Sequence, residues 1–222
     1  MRFIIIGGGG FGLELYTYLL DDIATGALPG HCTIAVLDET DNGELMTRNP
    51  DATYLGRVAE YDAADGDQAL IAIGSVVGRR KVFKIAQERN IPLGRYIHPS
   101  AWVAPNASLG KGVILCPNSM VSACASVADN VAINVYAGVG HGATVGAHSV
   151  MGPYSVINGD TSLGEGCYLG SRATLFPKVS LGKGCTVDAH SAVKASTGDF
   201  KIISVKGQYL ELANRLAERN FN

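Results

Sequence analysis

From Ile97 to Val193 every sixth residue is aliphatic or methionine, running through Val103, Leu109 and Leu115 to Leu181 and Val187 without an insertion. A small residue sits four positions after most of them, as at Ala107, Ser119, Ala125, Ala137, Ala143, Ser149, Ser155, Thr161 and Ala173. A second period, of eighteen, is laid over the first: LGKG at 109, VADN at 127, VGAH at 145, LGEG at 163 and LGKG at 181. A fixed repeat of this kind decides the architecture before any single residue does. Six residues make one short strand and one turn, and three such units close one circuit of a parallel β-coil. The aliphatic side chain points inward and stacks on its equivalent one coil away, about 4.8 Å along the axis. The small residue fits the corner, and Gly or Asn in the turns tolerates a positive φ. The 28 glycines, against 1 tryptophan and 8 prolines, suit such a glycine-punctuated repeat.

A solenoid stacks by nearest-neighbour contacts, so its end coils need covers. The tail GQYLELANRLAERN places Tyr209, Leu212, Ala213, Leu216 and Ala217 on one helical face. This predicts an amphipathic helix that caps or flanks the last coil, or that mediates a subunit contact. Cys167 and Cys185 both occupy the small position, one coil apart, and read as core fillers rather than a disulfide. Five cysteines without a CxxC pair point to a reduced, cytoplasmic protein.

Residues 1 to 94 follow another pattern. RFIII, HCTIAVLDE and QALIAIG read as strands, and FGLELYTYLLDD and VVGRRKVFKIAQERN as helices, which alternate to give a small Rossmann-like parallel α/β domain. Gly7, Gly9 and Gly12 form G-x-G-x-x-G after the first strand and at the start of the first helix. The N–H groups of that turn favour an anionic or ribose-bearing ligand. Asp38 ends the second strand, where an acid reads ribose hydroxyls or a base edge. The domain has too few strands for a dinucleotide and suits a mononucleotide or sugar nucleotide. The organisation expected is thus α/β plus β-solenoid: 1–94, Rossmann-like; 95–197, β-helix; 198–222, tail with the C-terminal helix.

Bulk properties exclude several classes. A net charge of -2 and a pI near 6.2, without a Lys/Arg run, give no footprint for nucleic acid. No stretch approaches the roughly 18 apolar residues of a membrane helix, and MRFIIIGGGG is too short in its apolar part for a signal peptide.

Taken together, IIIGGGGFGLE, AVLDE, LIAIGS with Arg79, YIHPSAWVAPNASLGKG, VAINVYAGVGH and INGDTSLGEG resemble the bacterial sugar acyltransferases of the sialic-acid O-acetyltransferase and bacillosamine N-acetyltransferase type. The resemblance covers nearly the whole chain and implies a left-handed β-helix. It also implies a homotrimer that takes acetyl-CoA as co-substrate and acetylates the amine, or else a hydroxyl, of a nucleotide-linked sugar, an amino sugar in the first instance, for surface polysaccharide or glycoprotein. By position it implies His141 as the catalytic base, Asn134 as its companion and Gly159 as the N–H donor to the thioester oxygen. His148, Gly159 and Gly170 fall to the acetyl-CoA site, and Gly7, Gly9, Gly10, Asp38, Gly74 and Arg79 to the sugar-nucleotide site. The chain departs from the pattern where relatives flank the histidine with acids: here stand Gly140 and Gly142, so that His141 either lacks an orienting carboxylate or borrows one, Asp160 being a candidate by coil stacking.

Two other readings of NVYAGVGHGATVGAHSVM stay open. One is a sugar-nucleotide-binding scaffold without catalysis. The other is a zinc-dependent carbonic-anhydrase-like β-helix, although the seven-residue gap between His141 and His148 spans a turn and aims them from different faces. His98 and His190 are expected to be structural and His31 to lie at the surface.

Overall fold

The computed structural model describes residues 1–204, 210–213 and 218–219. The chain divides into two compact units, Met1–Arg95 and Tyr96–Asn222.

The first unit is a four-stranded parallel sheet with strands β1 (Arg2–Ile6), β2 (Thr33–Leu37), β3 (Thr53–Tyr54) and β4 (Asp67–Ile71), in the order β3-β2-β1-β4. Helices α1 (Gly10–Ala24) and α3 (Val76–Glu88) follow β1 and β4, and a short α2 (Glu44–Arg48) precedes β3. After Arg2, FIII is an unbroken apolar run because its strand is central: Ile4, Ile5 and Ile6 are all buried. Phe83 and Ala86 of α3 join Ile4, Ile6, Leu37 and Ile71 in one core cluster. Arg2 at the start of β1 donates to Asp67, which also accepts from the Tyr61 hydroxyl and the Ala64 N–H.

The second unit is a three-sided parallel β-coil, and its register is the eighteen-residue period itself. Ala132 and Ile133 pair with Val150 and Met151 on one side, Gly138 and Val139 with Val156 and Ile157 on the next, and Thr144 and Val145 with Ser162 and Leu163 on the third. Leu115, Val121 and every sixth residue on to Val193 are buried in a single core column. The first members differ: Ile97 is 44% exposed, and Val103 and Leu109 are half-buried at the end of the stack. Corner residues such as Tyr136, His148, Asp160, Arg172 and Lys178 have φ between 56° and 64°, so the left-handed turn is not reserved for Gly and Asn. Each such residue costs roughly 1–2 kcal/mol. The cost is offset by a backbone bond to the coil below, as from Tyr136 N–H to Pro117 C=O and from His148 N–H to Asp129 C=O.

Cys167 and Cys185 form no disulfide and are buried, and their thiols donate to the carbonyls of Gly182 and Gly198. They fill corners, as their spacing implied.

The C-terminal helix is corrected in part. Residues Lys201–Ser204 add a further strand beside Thr186–Val187, and Leu210–Ala213 pair with it in antiparallel fashion. An open strand edge offers a row of unpaired N–H and C=O groups, and extended LELA satisfies them where a helix cannot. Glu218 and Arg219 have helical backbone, while Tyr209, Leu216 and Ala217 of the expected face lie outside the described residues.

Candidate active site

Asn134, His141 and His148 fall in three successive turns of one coil: after Ala132–Ile133, after Gly138–Val139 and after Thr144–Val145. The coil therefore sends them to three different corners of the prism. His141 and His148 are not a pair, as the turn between them implied. Nor does this chain bring Asn134 to His141.

The His141 corner opens into a cleft of about 400 Å³, lined by Ser122, Gly140, His141, Asn158, Gly159, Asp160, Pro177 and Lys178, with Met120, Gly138 and Val156 on the adjoining strand face. These residues come from four coils in register. The imidazole lies directly on Gly159: a Cβ at residue 159 would overlap Nε2 and Cε1 and come within 3.0 Å of Cδ2. Glycine is thus required at 159 for the ring to lie where it does. His141 is exposed, and its ring makes no hydrogen bond among the described residues. The Gly159 N–H likewise has no acceptor among the described residues, while the Gly159 carbonyl accepts from Lys178 N–H at 3.0 Å. A ring nitrogen without a partner and a backbone donor without an acceptor, both among the described residues, therefore share one corner.

The glycines beside His141 have steric reasons. A Cβ at residue 140 would meet the Asn158 carbonyl carbon at 2.6 Å and the Gly159 nitrogen at 2.7 Å, so the next coil leaves no room for an acid there. Gly142 has φ +63°, and a Cβ there would run into the Asp160 carboxylate. The Asp160 N–H donates to the His141 carbonyl at 2.8 Å.

Asn134 is half-buried, and its Oδ1 accepts from Val135 N–H within its own turn. His148 is held by the side chain of buried Asn130, 2.9 Å from Nδ1. Gly170 is buried on the same corner as Asn134, and a Cβ there would meet the Ala189 nitrogen at 2.5 Å, a packing requirement between coils. His98 is tied to Ser100, and His190 and His31 are exposed.

In the first unit the glycine turn is shaped by backbone and by one acid. Gly7 has φ +113°, and Gly12 is confined by the Gly7 carbonyl. Gly9 and Gly10 are exposed where α1 begins. The carboxylate of Asp38 reaches back to the turn, accepting from Gly8 N–H at 2.6 Å and from Glu39 N–H at 2.7 Å. Gly74 is exposed after β4. Arg79 requires a correction: it is fully buried, and its guanidinium donates to the carbonyls of Ile71 and Ile73. Its charge is therefore spent on carbonyls at and just after the end of β4, inside the unit and away from the surface.

Sequence reasoning missed Ser122, Asn158, Pro177 and Lys178. The signal was available, since they stand at plus or minus 18 or 36 from residues 140, 141 and 142. No group of three or more His, Cys, Asp or Glu side chains able to hold a metal ion occurs among the described residues. Nor, among these, is any helix long and apolar enough to cross a membrane.

No protein-family model matches the chain, and no curated protein is found similar to it. Solved structures are similar over almost its full length. The acetyltransferase domain of PglB from Neisseria gonorrhoeae superposes with a TM-score of 0.83 at 24% identity, covering 95% of this chain and 99% of that one. PerB from Caulobacter crescentus, solved with CoA and GDP-perosamine, has a TM-score of 0.79 at 27% identity, covering 95% and 97%. A histidine-to-asparagine variant of perosamine N-acetyltransferase from the same organism, with the same two ligands, has a TM-score of 0.79 at 25% identity, covering 95% and 97%. The solenoid is the left-handed β-helix of these acetyltransferases.

Proposed function

We propose that the protein transfers the acetyl group of acetyl-CoA to the amine of a nucleotide-linked sugar, with His141 as general base. The observation that carries this reading is the imidazole of His141 lying on Gly159, next to an N–H that has no acceptor among the described residues. Similar structures hold CoA and a nucleotide amino sugar, which supports the same two substrate classes here.

In this mechanism neutral His141 takes a proton from the sugar amine as its nitrogen attacks the thioester carbonyl carbon. A positioned base contributes about 10²- to 10⁴-fold. The carbonyl oxygen becomes an oxyanion and accepts from Gly159 N–H. Collapse breaks the carbon–sulfur bond, and the imidazolium returns its proton to the CoA thiolate. The products are the amide and CoA, and no covalent enzyme intermediate forms.

The remaining assignments follow from the same reading. The glycine turn at Gly7, Gly9 and Gly10, with Asp38 and Gly74, binds the nucleotide, and Arg79 holds the end of β4 in shape for it. His148 and Gly170 contact acetyl-CoA from their own corners. Asn134 lies on a different corner from His141, so its role as companion requires a second copy, and we place the enzyme in a homotrimer. Cysteines that form no disulfide fit the cytoplasm.

The test is incubation with acetyl-CoA and a panel of UDP-, dTDP- and GDP-linked amino sugars, read by mass spectrometry. An acetyl gain on one sugar, lost in His141→Ala, is the expected result. Binding of a nucleotide sugar with no acetyl gain across the panel would overturn the reading in favour of a non-catalytic scaffold.

A further inference from the structure

The geometry points to Asp160 as the positioning residue of His141, an acid supplied by the next coil in a chain that has none beside its histidine. This rests on the acetyltransferase reading above. Gly140 cannot carry a side chain, because its Cβ would strike the Asn158–Gly159 backbone. Gly142 leaves a hollow on the other side of His141, and the Asp160 carboxylate is turned down into it. Asp160 is anchored there by its own N–H, 2.8 Å from the His141 carbonyl, with φ 56°. Its carboxylate has no hydrogen bond or ion pair among the described residues, and it lines the same cleft as His141.

The orientation of the ring assigns the two nitrogens. Nε2, Cε1 and Cδ2 are the atoms nearest to the Cβ position of Gly159, so Nε2 is the end that meets the reacting thioester. Nδ1 is left on the side of the histidine's own backbone, where Asp160 is attached. Asp160 accepts the Nδ1–H in the free protein, which keeps the Nε2 lone pair free for the amine proton. Catalytic hydrogen bonds are commonly long before substrate binds and tighten in the substrate complex. Gly142 is then not a lost acid but the space that admits one from the coil above.

The experiment compares wild type, Asp160→Asn, Asp160→Glu and Gly142→Ala in the full chain. Long-range ¹⁵N–¹H correlation spectra give the tautomer of His141 without any acceptor, its signal being assigned by loss in His141→Ala. Wild type is expected to hold Nδ1–H, and Asp160→Asn to move toward Nε2–H. Gly142→Ala should do the same by evicting the carboxylate, since Cys124 and Asp160 show that non-glycine residues occupy this corner conformation at φ 59° and 56°. In turnover, Asp160→Asn should lower kcat about 10- to 100-fold, part of the contribution of the base, with KM for acetyl-CoA unchanged and partial rescue in Asp160→Glu. Identical tautomer ratios in wild type and Asp160→Asn would overturn the role, as would an unchanged kcat. No acetyl gain by wild type on any nucleotide-linked amino sugar would instead overturn the acetyltransferase reading, and transfer that survives in His141→Ala would overturn its base, so the failures are separable.

Discussion

The imidazole of His141 occupies the space that a side chain at residue 159 would need. The two residues are one coil apart, and their contact joins a base to the backbone N–H proposed to receive the negative charge.

Gly159→Ala therefore removes catalysis without unfolding the solenoid. The added methyl must push the ring away, and acetyl transfer should fall by about 10²-fold or more, within the range a positioned base supplies. Steady-state kinetics beside a circular-dichroism melt checks this. A wild-type rate in a folded Gly159→Ala protein would contradict the placement of the ring.

If Asn134 of one copy serves His141 of another, two dead variants complement each other. Asn134→Ala and His141→Ala proteins, each inactive alone, should recover a measurable part of the wild-type rate after being unfolded and refolded together. Subunits that are self-contained would recover none.

The acid limit of the first unit should trace to Asp67. Burial alone would raise its carboxyl, but the bonds from Arg2, Tyr61 and the Ala64 N–H prevail and hold it below its ordinary value. A folded-state pKa below the unfolded one means stability that is full above about pH 4 and is lost as pH falls through the folded value. Thermal melts from pH 7 to pH 2 should show this loss. Asp67→Asn should cost about 1–3 kcal/mol at neutral pH, by stranding partners of a buried group, and should flatten the acid dependence.

The thiol of Cys167 should be inert in the folded protein. Its hydrogen bond with Cys185, and then burial, push its pKa well above the ordinary thiol value, so little thiolate exists at pH 8. A thiol reagent followed by peptide mass mapping should label Cys167 only after denaturant is added. Rapid labelling in the native state would show that the core column opens.

The legible part of the fold was periodic or flanked by strong signals. The strands RFIII and QALIAIG and both long helices appear where the pattern puts them, because apolar runs and helical stripes are local properties. Glu44–Arg48 and Thr53–Tyr54 were not anticipated, being too short to carry a period. LELA was assigned to a helical face although its alternation also suits a strand, and the edge offered by Lys201–Ser204 decided the matter. Arg79 could not be told from a ligand-facing cation, since only packing distinguishes a buried guanidinium from an exposed one.

By itself the sequence determined the coil, the core column and the stacking of residue 141 under 159 and 177, because period six within eighteen leaves one register. The choice of His141 as the histidine to examine came from the resemblance to sugar acyltransferases and not from the period. The tertiary structure decided what those columns hold: a ring on Gly159, an N–H left without an acceptor among the described residues, a carboxylate lowered over Gly142 and Asn134 sent to another corner. These depend on backbone angles at the turns and on contacts between coils eighteen residues apart, which a linear pattern orders but does not orient.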